Sequence, residues 1–396
     1  MLTTLSALRF IPPDAVYIEP VGPAGDNYSD AESGAVAARR SRWRSKVTLT
    51  TLSVQPSVQS NSVMSNRIGY ALLLCLVILN GSTRSRISAP HLDYPATGAS
   101  PEIIALYEAW FGLPNHIDVG YSSHNESVLK RQIRHAKSLG ISAFVIDWYG
   151  DREPFIDKSY ALMQEMAAKE HFRVAMMYDE TEAQVGATDE AIADLRMFHD
   201  TYLAPGASGR NAYLSYDGRP MIFVFPKGGY TNWDEVRTYL KTWNPEPLLI
   251  DENLPGKYPN AFNGFYAWIN PGKGGWTQDG HSWGEQYLSD FYATMRDKYP
   301  QKMIVGGAWA SFNDSKAAWG LNRHIAARCG QTFADTLGFW RRYFPAADPI
   351  PFVMIETWND YEEGSAIEGG IPTCNGSQPK RILSALRASD SRRLSH

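Results

Sequence analysis

The sequence predicts an α/β protein built on one (β/α)8 barrel, or TIM barrel, with a disordered N-terminal extension. From residue 102 onward, short apolar runs alternate with segments of helical periodicity, and strands separated by helices form parallel sheets. Eight apolar runs can be counted in this region, which is the number of strands that closes such a barrel. The chain has 396 residues, of which 44% are hydrophobic and 20% are charged. It therefore has room for one barrel of about 250 residues together with extensions.

The eight predicted strands are short and apolar, as strands covered on both faces are. In chain order they are Ile103–Phe111, Ala143–Trp148, Phe172–Met177, Met221–Phe225, Leu248–Ile250, Gly264–Ile269, Met303–Trp309 and Phe352–Thr357.

Helical periodicity fills several of the intervals between these strands. The predicted helices are Ser127–Leu139, Lys158–Lys169, Asp189–Tyr202 and Asn232–Thr242, with Thr188 as the N-cap of the third. After the last strand only Pro379–Ala388 is available for a closing helix.

The chain before the barrel has the organisation of an exported precursor. Residues 64–83 combine Met64, Arg67, an apolar run over Ala71–Leu79 and small polar residues after it, which is the pattern of a signal peptide. We predict that residues 1–63 are a disordered or mis-annotated extension, 84–101 a linker, 102–378 the barrel and 379–396 a C-terminal helix or tail. An uncleaved anchor, or an apolar segment without a role, stays open for 64–83. The favoured interpretation is a secreted or periplasmic protein with no stable membrane insertion after signal removal.

The cysteine content agrees with export without proving it. Cys75 lies in the predicted signal, which leaves Cys329 and Cys374 as a disulfide or as two free thiols.

Composition and missing motifs exclude several classes of partner and cofactor. The net charge of −4 argues against a nucleic-acid surface, because phosphate binding requires clustered basic residues. The nine His show no His-x-His or His-Glu-x-x-His pattern, and neither a phosphate-binding loop nor a Gly-x-Ser-x-Gly elbow is present. We therefore expect no cofactor and no metal ligands, although a calcium ion bound by carboxylates stays open. We also expect a monomer.

Catalytic and binding residues of TIM barrels lie at the C-terminal ends of the strands. Polar and aromatic residues follow the predicted strands at these places, and their rings are suited to stacking on sugars. The candidates for substrate binding are Tyr107, Trp110, Asp147, Trp148, Tyr149, Asp179, Glu180, Tyr266, Trp268, Trp309, Asp314, Trp358, Asn359 and Tyr361. The Gly-rich segment 270–284, which contains Trp276, His281 and Trp283, is either a functional loop over the mouth or an ordinary surface loop.

The most informative segment is the run that follows the last strand. Asp360 and Glu363 are three positions apart, so a helical turn would place both carboxyl groups on one face. Two carboxyl groups beside one bond are what glycosidic cleavage requires, one as proton donor and one as base or nucleophile. An acidic helical turn without catalysis is the alternative, because Asp and Glu stabilise helix N-termini. Glu356 is interpreted as a strand residue with a structural partner, and Glu362 as exposed.

An ordered set of motifs resembles glycoside hydrolase families 71 and 99. The segment Thr357–Glu368 resembles their terminal-strand motif, and Tyr107–Gly112, Ile146–Gly150, Gly218–Phe223 and Ser311–Ser315 are similar to motifs of other strands. The resemblance implies a TIM-barrel hydrolase related to endo-α-mannosidases and α-1,3-glucanases. It makes Asp360 the first acid of the pair and Glu363 the second, which is the general acid.

These observations predict a glycoside hydrolase that cleaves an α-linked glycan, with Glu363 as general acid and Asp360 as base or stabiliser. Asp at the first position matches the inverting glucanase-like family, whereas the mannosidase-like family has Glu there and retains configuration, so the stereochemistry stays open. The alternative is a glycan-binding or polysaccharide-assembly protein on the same barrel, because a fold alone does not determine function.

Overall fold

A computed structural model of the chain describes residues 100–374 and 376–378. The predicted extension, signal segment, most of the linker and the closing helix Pro379–Ala388 lie outside these residues. In the described residues, no helix is long and apolar enough to cross a membrane.

The fold is a closed barrel of eight parallel strands, as the sequence predicts. In chain order the strands are β1 Glu102–Tyr107, β2 Ile141–Trp148, β3 Arg173–Asp179, β4 Arg219–Phe225, β5 Leu248–Glu252, β6 Gly264–Tyr266, β7 Met303–Ala308 and β8 Phe352–Ile355. Each strand pairs in parallel with its neighbours in this order. The pairing of β1 with β8, from Glu102 opposite Phe352 to Ala105 opposite Ile355, closes the barrel.

In the part of the chain that the structure describes, six α-helices connect the strands on the outside of the barrel. They are α1 Glu126–Ser138, α2 Pro154–Lys169, α3 Ala187–Phe198, α4 Trp233–Leu240, α5 Glu285–Lys298 and α6 Gln331–Gly338. Helix α1 begins after Asn125, whose side-chain Oδ1 accepts hydrogen bonds from the amides of Ser127 and Val128, as expected of an N-cap. Pro154 opens α2, where the missing N–H costs nothing because that position has no intrahelical partner.

The structure corrects several predicted boundaries. The first strand ends at Tyr107 rather than Phe111, and the sixth ends at Tyr266 rather than Ile269. Between β5 and β6 the described residues 253–263 form no helix. Thr188 is not the N-cap of α3, because the helix begins after Gly186, and the Thr188 hydroxyl instead accepts a hydrogen bond from the Asn232 amide.

The chain folds back on itself after β8 through a disulfide. Cys329 and Cys374 are bonded, so the hairpin formed by Ile371–Thr373 and Gly376–Gln378 is tied to the turn before α6. Of the two alternatives that the sequence leaves open for these cysteines, the structure contains the bridge.

Candidate active site

The turn that follows β8 is the centre of the candidate site. Its geometry is set by Asp360, whose Oδ1 accepts hydrogen bonds from the backbone amides of Glu362 at 3.0 Å and Glu363 at 2.8 Å. The amide of Asp360 in turn donates to Thr357 Oγ1 at 2.7 Å. Gly364 ends the turn with a φ of +63°, a backbone conformation that glycine adopts without strain. Asp360 therefore organises the loop that carries the other two acids.

Each of the two neighbouring acids has a partner on a distant part of the chain. Glu363 Oε1 accepts a hydrogen bond from the indole Nε1 of Trp319 at 2.8 Å. Glu362 pairs with His116 Nδ1 at 2.7 Å and accepts from the Ile117 amide at 3.1 Å. The prediction that Glu362 is exposed was wrong, since it is 2% exposed. Its burial depends on His116, which lies in the connection after β1 and is therefore not visible from the local sequence.

Three aromatic rings lie beside these acids. Trp110 stacks on His116 with ring centroids 4.6 Å apart, and Trp319 meets the edges of both at 5.9 Å. Each ring belongs to a connection that leaves the C-terminal end of a strand. In this structure they cover Glu363, which is 1% exposed.

The connection after β7, residues 309–330 and here called the β7 loop, is bound to the same turn. The Ser311 hydroxyl donates to the Gly364 carbonyl at 2.8 Å, and the Asn313 amide donates to the Glu363 carbonyl at 2.6 Å. Within the loop, the fully buried Asp314 accepts from the backbone amide of Arg323 and pairs with its guanidinium Nε, both at 2.6 Å. Asp314 thus stabilises the loop that carries Trp319. Its hydrogen bonds are made within this loop, so they give no support to its predicted role in substrate binding.

A narrow cavity enters the barrel next to the turn. Its walls include Glu108, Asp147 and Trp268, together with Leu106, Met177 and Phe225. Tyr149 donates its hydroxyl proton to Asp147 Oδ2 at 2.8 Å. Asp147, Tyr149 and Trp268 thus lie at the mouth, where the sequence predicts them, and Glu108 is a further acid of this wall. The cavity is too narrow to hold a water molecule in this structure.

A second polar group lies at the ends of β3 and β4. Asp179 pairs with Lys227 Nζ at 2.6 Å, and Glu180 accepts a hydrogen bond from the Lys227 amide at 2.8 Å. Lys227 also lies over the ring of Tyr149, 5.1 Å from its centroid. Both predicted residues are therefore at the mouth, Asp179 paired with the Lys227 ammonium and Glu180 bound by a backbone amide.

Two further acids lie deeper, at the ends of β5 and β8. Burial is the main cause that raises the pKa of Asp251, with contributions from Glu252 and Glu180. Burial also raises the pKa of Glu356 well above its ordinary value, and nearby Glu252 adds to this. A buried carboxyl group with a raised pKa is held in its neutral form. Sequence reasoning did not single out Glu356 or Asp251 as perturbed, because the effect comes from strands far apart in the chain.

Several predicted aromatic residues lie away from the mouth. Tyr107 donates to Gln132 of α1 at 2.9 Å, Trp148 Nε1 donates to Asp157 of α2 at 3.0 Å, and Trp358 packs against Phe144 and His135. All three fill the layer between the barrel and the helices. A sequence signal for this exists, because neighbouring strand residues point to opposite faces and Asp147 and Trp148 therefore cannot both point inward.

The remaining predicted residues connect elements of the scaffold. Tyr266 crosses the interior to donate to the Val224 carbonyl at 2.9 Å, and Trp309 Nε1 donates to the Trp283 carbonyl at 2.9 Å. Asn359 exchanges hydrogen bonds with the backbone amide and carbonyl of Glu108. Tyr361 donates to Glu368 Oε2 at 3.0 Å.

Segment 270–284 packs against the β7 loop. Trp276 contacts Phe312 with centroids 5.1 Å apart, and the Ala326 amide donates to the Gly280 carbonyl at 2.9 Å. This segment therefore supports the loop that covers the acids. Over residues 100–374, no group of three or more His, Cys, Asp or Glu side chains is arranged to hold a metal ion.

No protein-family model matches the chain, and no curated protein matches it. Among solved structures, the chain is similar to the glycoside hydrolase family 99 endo-α-mannosidase of Bacteroides thetaiotaomicron in two structures. One of them, in complex with bis-tris-propane, has 14% identity and a TM-score of 0.57, and the other has 13% identity and a TM-score of 0.56. Both alignments cover 74% of this chain and 98% of that chain.

A structure described as a glycoside hydrolase-like protein has 12% identity and a TM-score of 0.52, over 76% of this chain and 97% of that one. At these identities the likeness establishes a shared fold alone, the (β/α)8 barrel.

Proposed function

We propose that this protein is a glycoside hydrolase that cleaves an α-linked oligosaccharide or polysaccharide at the C-terminal mouth of the barrel. The observation that carries the proposal is the turn after β8, where Asp360 and Glu363 lie in one hydrogen-bonded loop beside Trp110 and Trp319. Two acids with aromatic walls are the equipment that glycosidic cleavage needs. The shared fold supports the same reaction class, because the structures that the chain matches include an endo-α-mannosidase.

In the proposed reaction Glu363 is the general acid. It donates a proton to the glycosidic oxygen as the bond from that oxygen to the anomeric carbon breaks, so the leaving sugar departs as a neutral alcohol. Once the proton has left, Glu363 carries a negative charge. The Trp319 indole stabilises this charge, because its Nε1 donates a hydrogen bond to Glu363 Oε1.

Asp360 is the base or charge stabiliser in the same proposal. It removes a proton from the attacking hydroxyl group, which belongs either to a water molecule or to the substrate itself, or it stabilises positive charge at the anomeric carbon. Two backbone amides hold its Oδ1, so the orientation of the carboxylate is fixed before substrate arrives. Such preorganisation lowers the cost of reaching the transition state.

Substrate access requires the rings beside the acids to move. Trp319 contacts Glu363 directly and both acids are buried, so a sugar must take the place of this indole or the β7 loop must shift. The apolar face of a sugar packs against the face of an aromatic ring. We assign this contact to Trp319 and Trp110.

Export is part of the proposal. It is supported by the signal-like segment 64–83 and by the bond between Cys329 and Cys374, because disulfides persist in oxidising compartments. N-terminal sequencing of the native protein tests it, and a chain that still carries residues 1–63 would contradict it.

A second candidate is a protein that binds glycans without cleaving them. Both acids are buried, and Trp319 lies against Glu363. This favours binding without cleavage, because a glycan on the outside of the mouth would not reach carboxyl groups that are covered. Both functions are tested by incubating the full protein with α-mannan and α-glucan oligosaccharides and measuring released sugar and bound sugar separately. Hydrolysis supports the enzyme, and binding without any released sugar supports the alternative.

The assignment of residues is tested with three variants of any active preparation. Glu363→Gln and Asp360→Asn are expected to lower kcat by about 10²- to 10⁴-fold, the usual contribution of a general acid or base. Glu182→Gln is the matched control, since Glu182 is an exposed acid of the connection after β3. Full activity in either site variant, with circular dichroism unchanged, contradicts the assignment.

A further inference from the structure

The N-terminal face of the barrel contains a cavity that the proposed reaction does not use. It lies between the connection from α3 to β4 and the connection from α4 to β5, so it is at the end opposite the mouth. Its volume is about 510 Å³, which is in the range of small-molecule sites. This face of a TIM barrel serves stability in most enzymes, so an open cavity there needs an explanation of its own.

The walls of this cavity combine an apolar floor with hydrogen-bond donors. Leu203, Tyr213, Pro220, Trp243 and Pro245 supply the apolar part. The donors come from Trp243 Nε1, Arg210, Asn211, Asn244 and His199, whose Nδ1 pairs with the neighbouring Asp200 at 2.9 Å. No Asp or Glu is among the described residues of the lining itself. The cavity is therefore suited to a ring-containing ligand that accepts hydrogen bonds and carries negative charge.

Two of the donors have no partner in the described part of the chain. The indole of Trp243 is 7% exposed, and its Nε1 makes no hydrogen bond there, although buried Trp N–H groups usually find an acceptor. Arg210 is exposed and forms no ion pair or side-chain hydrogen bond with the described residues. Both groups are available to a ligand in the cavity.

The backbone around the donors is held firmly. Gly209 has a φ of +69°, and a Cβ atom there would lie 2.6 Å from the Gln164 carbonyl oxygen, so only glycine fits before Arg210. Gln164 fixes the same segment by donating to the carbonyls of Tyr202 and Ser208. His199–Leu203 is a π-helical turn, a rare conformation that is frequent at functional sites.

We propose that this cavity binds a sugar that carries an anionic group, a carboxylate or a phosphate. The anionic group pairs with Arg210, an oxygen of the ligand accepts a hydrogen bond from Trp243 Nε1, and the sugar ring lies against the apolar floor. The inference does not depend on the proposed reaction, because it concerns the other end of the barrel and its test is binding.

The test is calorimetric titration of the full protein with four probes: glucuronate, glucose 6-phosphate, glucose and inorganic phosphate. At least one anionic sugar is expected to bind at least about tenfold more tightly than glucose and than phosphate alone, because a charge-assisted hydrogen bond contributes enough free energy for that factor. The glucuronate and glucose 6-phosphate arms distinguish a carboxylate from a phosphate. Equal binding of inorganic phosphate, or no preference over glucose, would overturn the proposal.

Variants locate the binding. Arg210→Gln is expected to remove the preference for the anionic sugar, and Trp243→Phe, which keeps a ring but loses the N–H, to weaken binding by about 3- to 10-fold. Arg131→Gln is the control, because Arg131 is an exposed arginine of α1 away from the cavity. Unchanged binding in Arg210→Gln would show that the ligand is elsewhere and would overturn the assignment.

Discussion

Two groups of carboxyl residues at the C-terminal end of this barrel differ in the hydrogen bonds that they accept. In the turn after β8, Asp360, Glu362 and Glu363 are each bound by donors, namely backbone amides, His116 and the Trp319 indole. At the strand ends, Glu356 is fully buried and Asp251 is half-buried beside Glu252, and the pKa values of both carboxyl groups are raised.

The difference shows that closeness in sequence does not give two acids the same chemistry. Glu356 and Asp360 are four positions apart, yet one directly follows a buried strand and the other belongs to a hydrogen-bonded turn. Donors stabilise a charged carboxylate, whereas burial without compensation favours the neutral acid. Hydrogen bonds therefore hold the acids of the turn, whereas burial dominates at Asp251 and Glu356.

The largest expected effect comes from making the same substitution in both groups. Glu363→Gln is expected to lower kcat by about 10²- to 10⁴-fold, while Glu356→Gln leaves kcat within about threefold, because an amide replaces a neutral carboxyl group of the same shape. Steady-state kinetics on the glycan that the wild-type protein cleaves measures both. Loss of activity in Glu356→Gln with a normal thermal midpoint would break the distinction between the groups.

Asp314 sharpens the comparison, because it is fully buried like the interior acids but has donors like the turn acids. Asp314→Ala leaves two amides and Arg323 without their acceptor. We expect a loss of about 2 to 4 kcal/mol in the free energy of unfolding. This is less than for a wholly buried ion pair, because the Arg323 side chain is partly exposed. Urea denaturation measures it. The exposed Asp348 is the control, and Asp348→Ala should change stability by less than about 0.5 kcal/mol.

The pH dependence of stability reports on the interior acids. Their folded pKa values are raised, so the stability they contribute is fully present below their ordinary pKa of about 4 and is lost as the pH rises toward the folded values. Glu356→Gln is expected to make this decline shallower, by at most about 1.4 kcal/mol per pH unit. Urea midpoints between pH 4.5 and 8 test this, and an unchanged slope would contradict a raised pKa at Glu356.

The smallest expected effect concerns the donor to Glu363. Trp319→Phe keeps a ring beside the acids but removes the hydrogen bond to Glu363 Oε1, so we expect kcat/KM to fall by about 3- to 10-fold. Trp340→Phe, in the helical turn Phe339–Arg342 before β8, is the matched control, because Trp340 is buried and has no assigned role. An equal fall in both variants would mean that the loss is not specific to the turn.

Much of the fold was predictable, because each barrel strand is an apolar run that the sequence displays directly. The predicted Thr188 cap failed because its hydroxyl is used by Asn232 of the next connection, a tertiary contact that overrides local preference. Asp147 and Trp268 could be placed at the mouth because they lie at the C-terminal ends of strands. Tyr107, Trp148 and Trp358 lie at strand ends too, but they point outward to the helices.

The partners of the turn acids were beyond prediction for a simple reason. His116 and Glu362 are 246 positions apart in the chain, and Trp319 and Glu363 are 44 positions apart. Only closure of the barrel between β1 and β8, and the path of the β7 loop, brings these groups together. The acids themselves could be identified, whereas their hydrogen bonds required the fold.

The central claim is that Glu363 gives its proton to the leaving oxygen, and the leaving group tests this most directly. Wild type and Glu363→Gln are compared on the natural glycan and on a dinitrophenyl glycoside of the same sugar, whose leaving group departs without a proton. We expect Glu363→Gln to lose about 10²- to 10⁴-fold on the natural glycan and to keep most of its rate on the dinitrophenyl glycoside. An equal loss on both substrates would contradict the role of Glu363 as general acid.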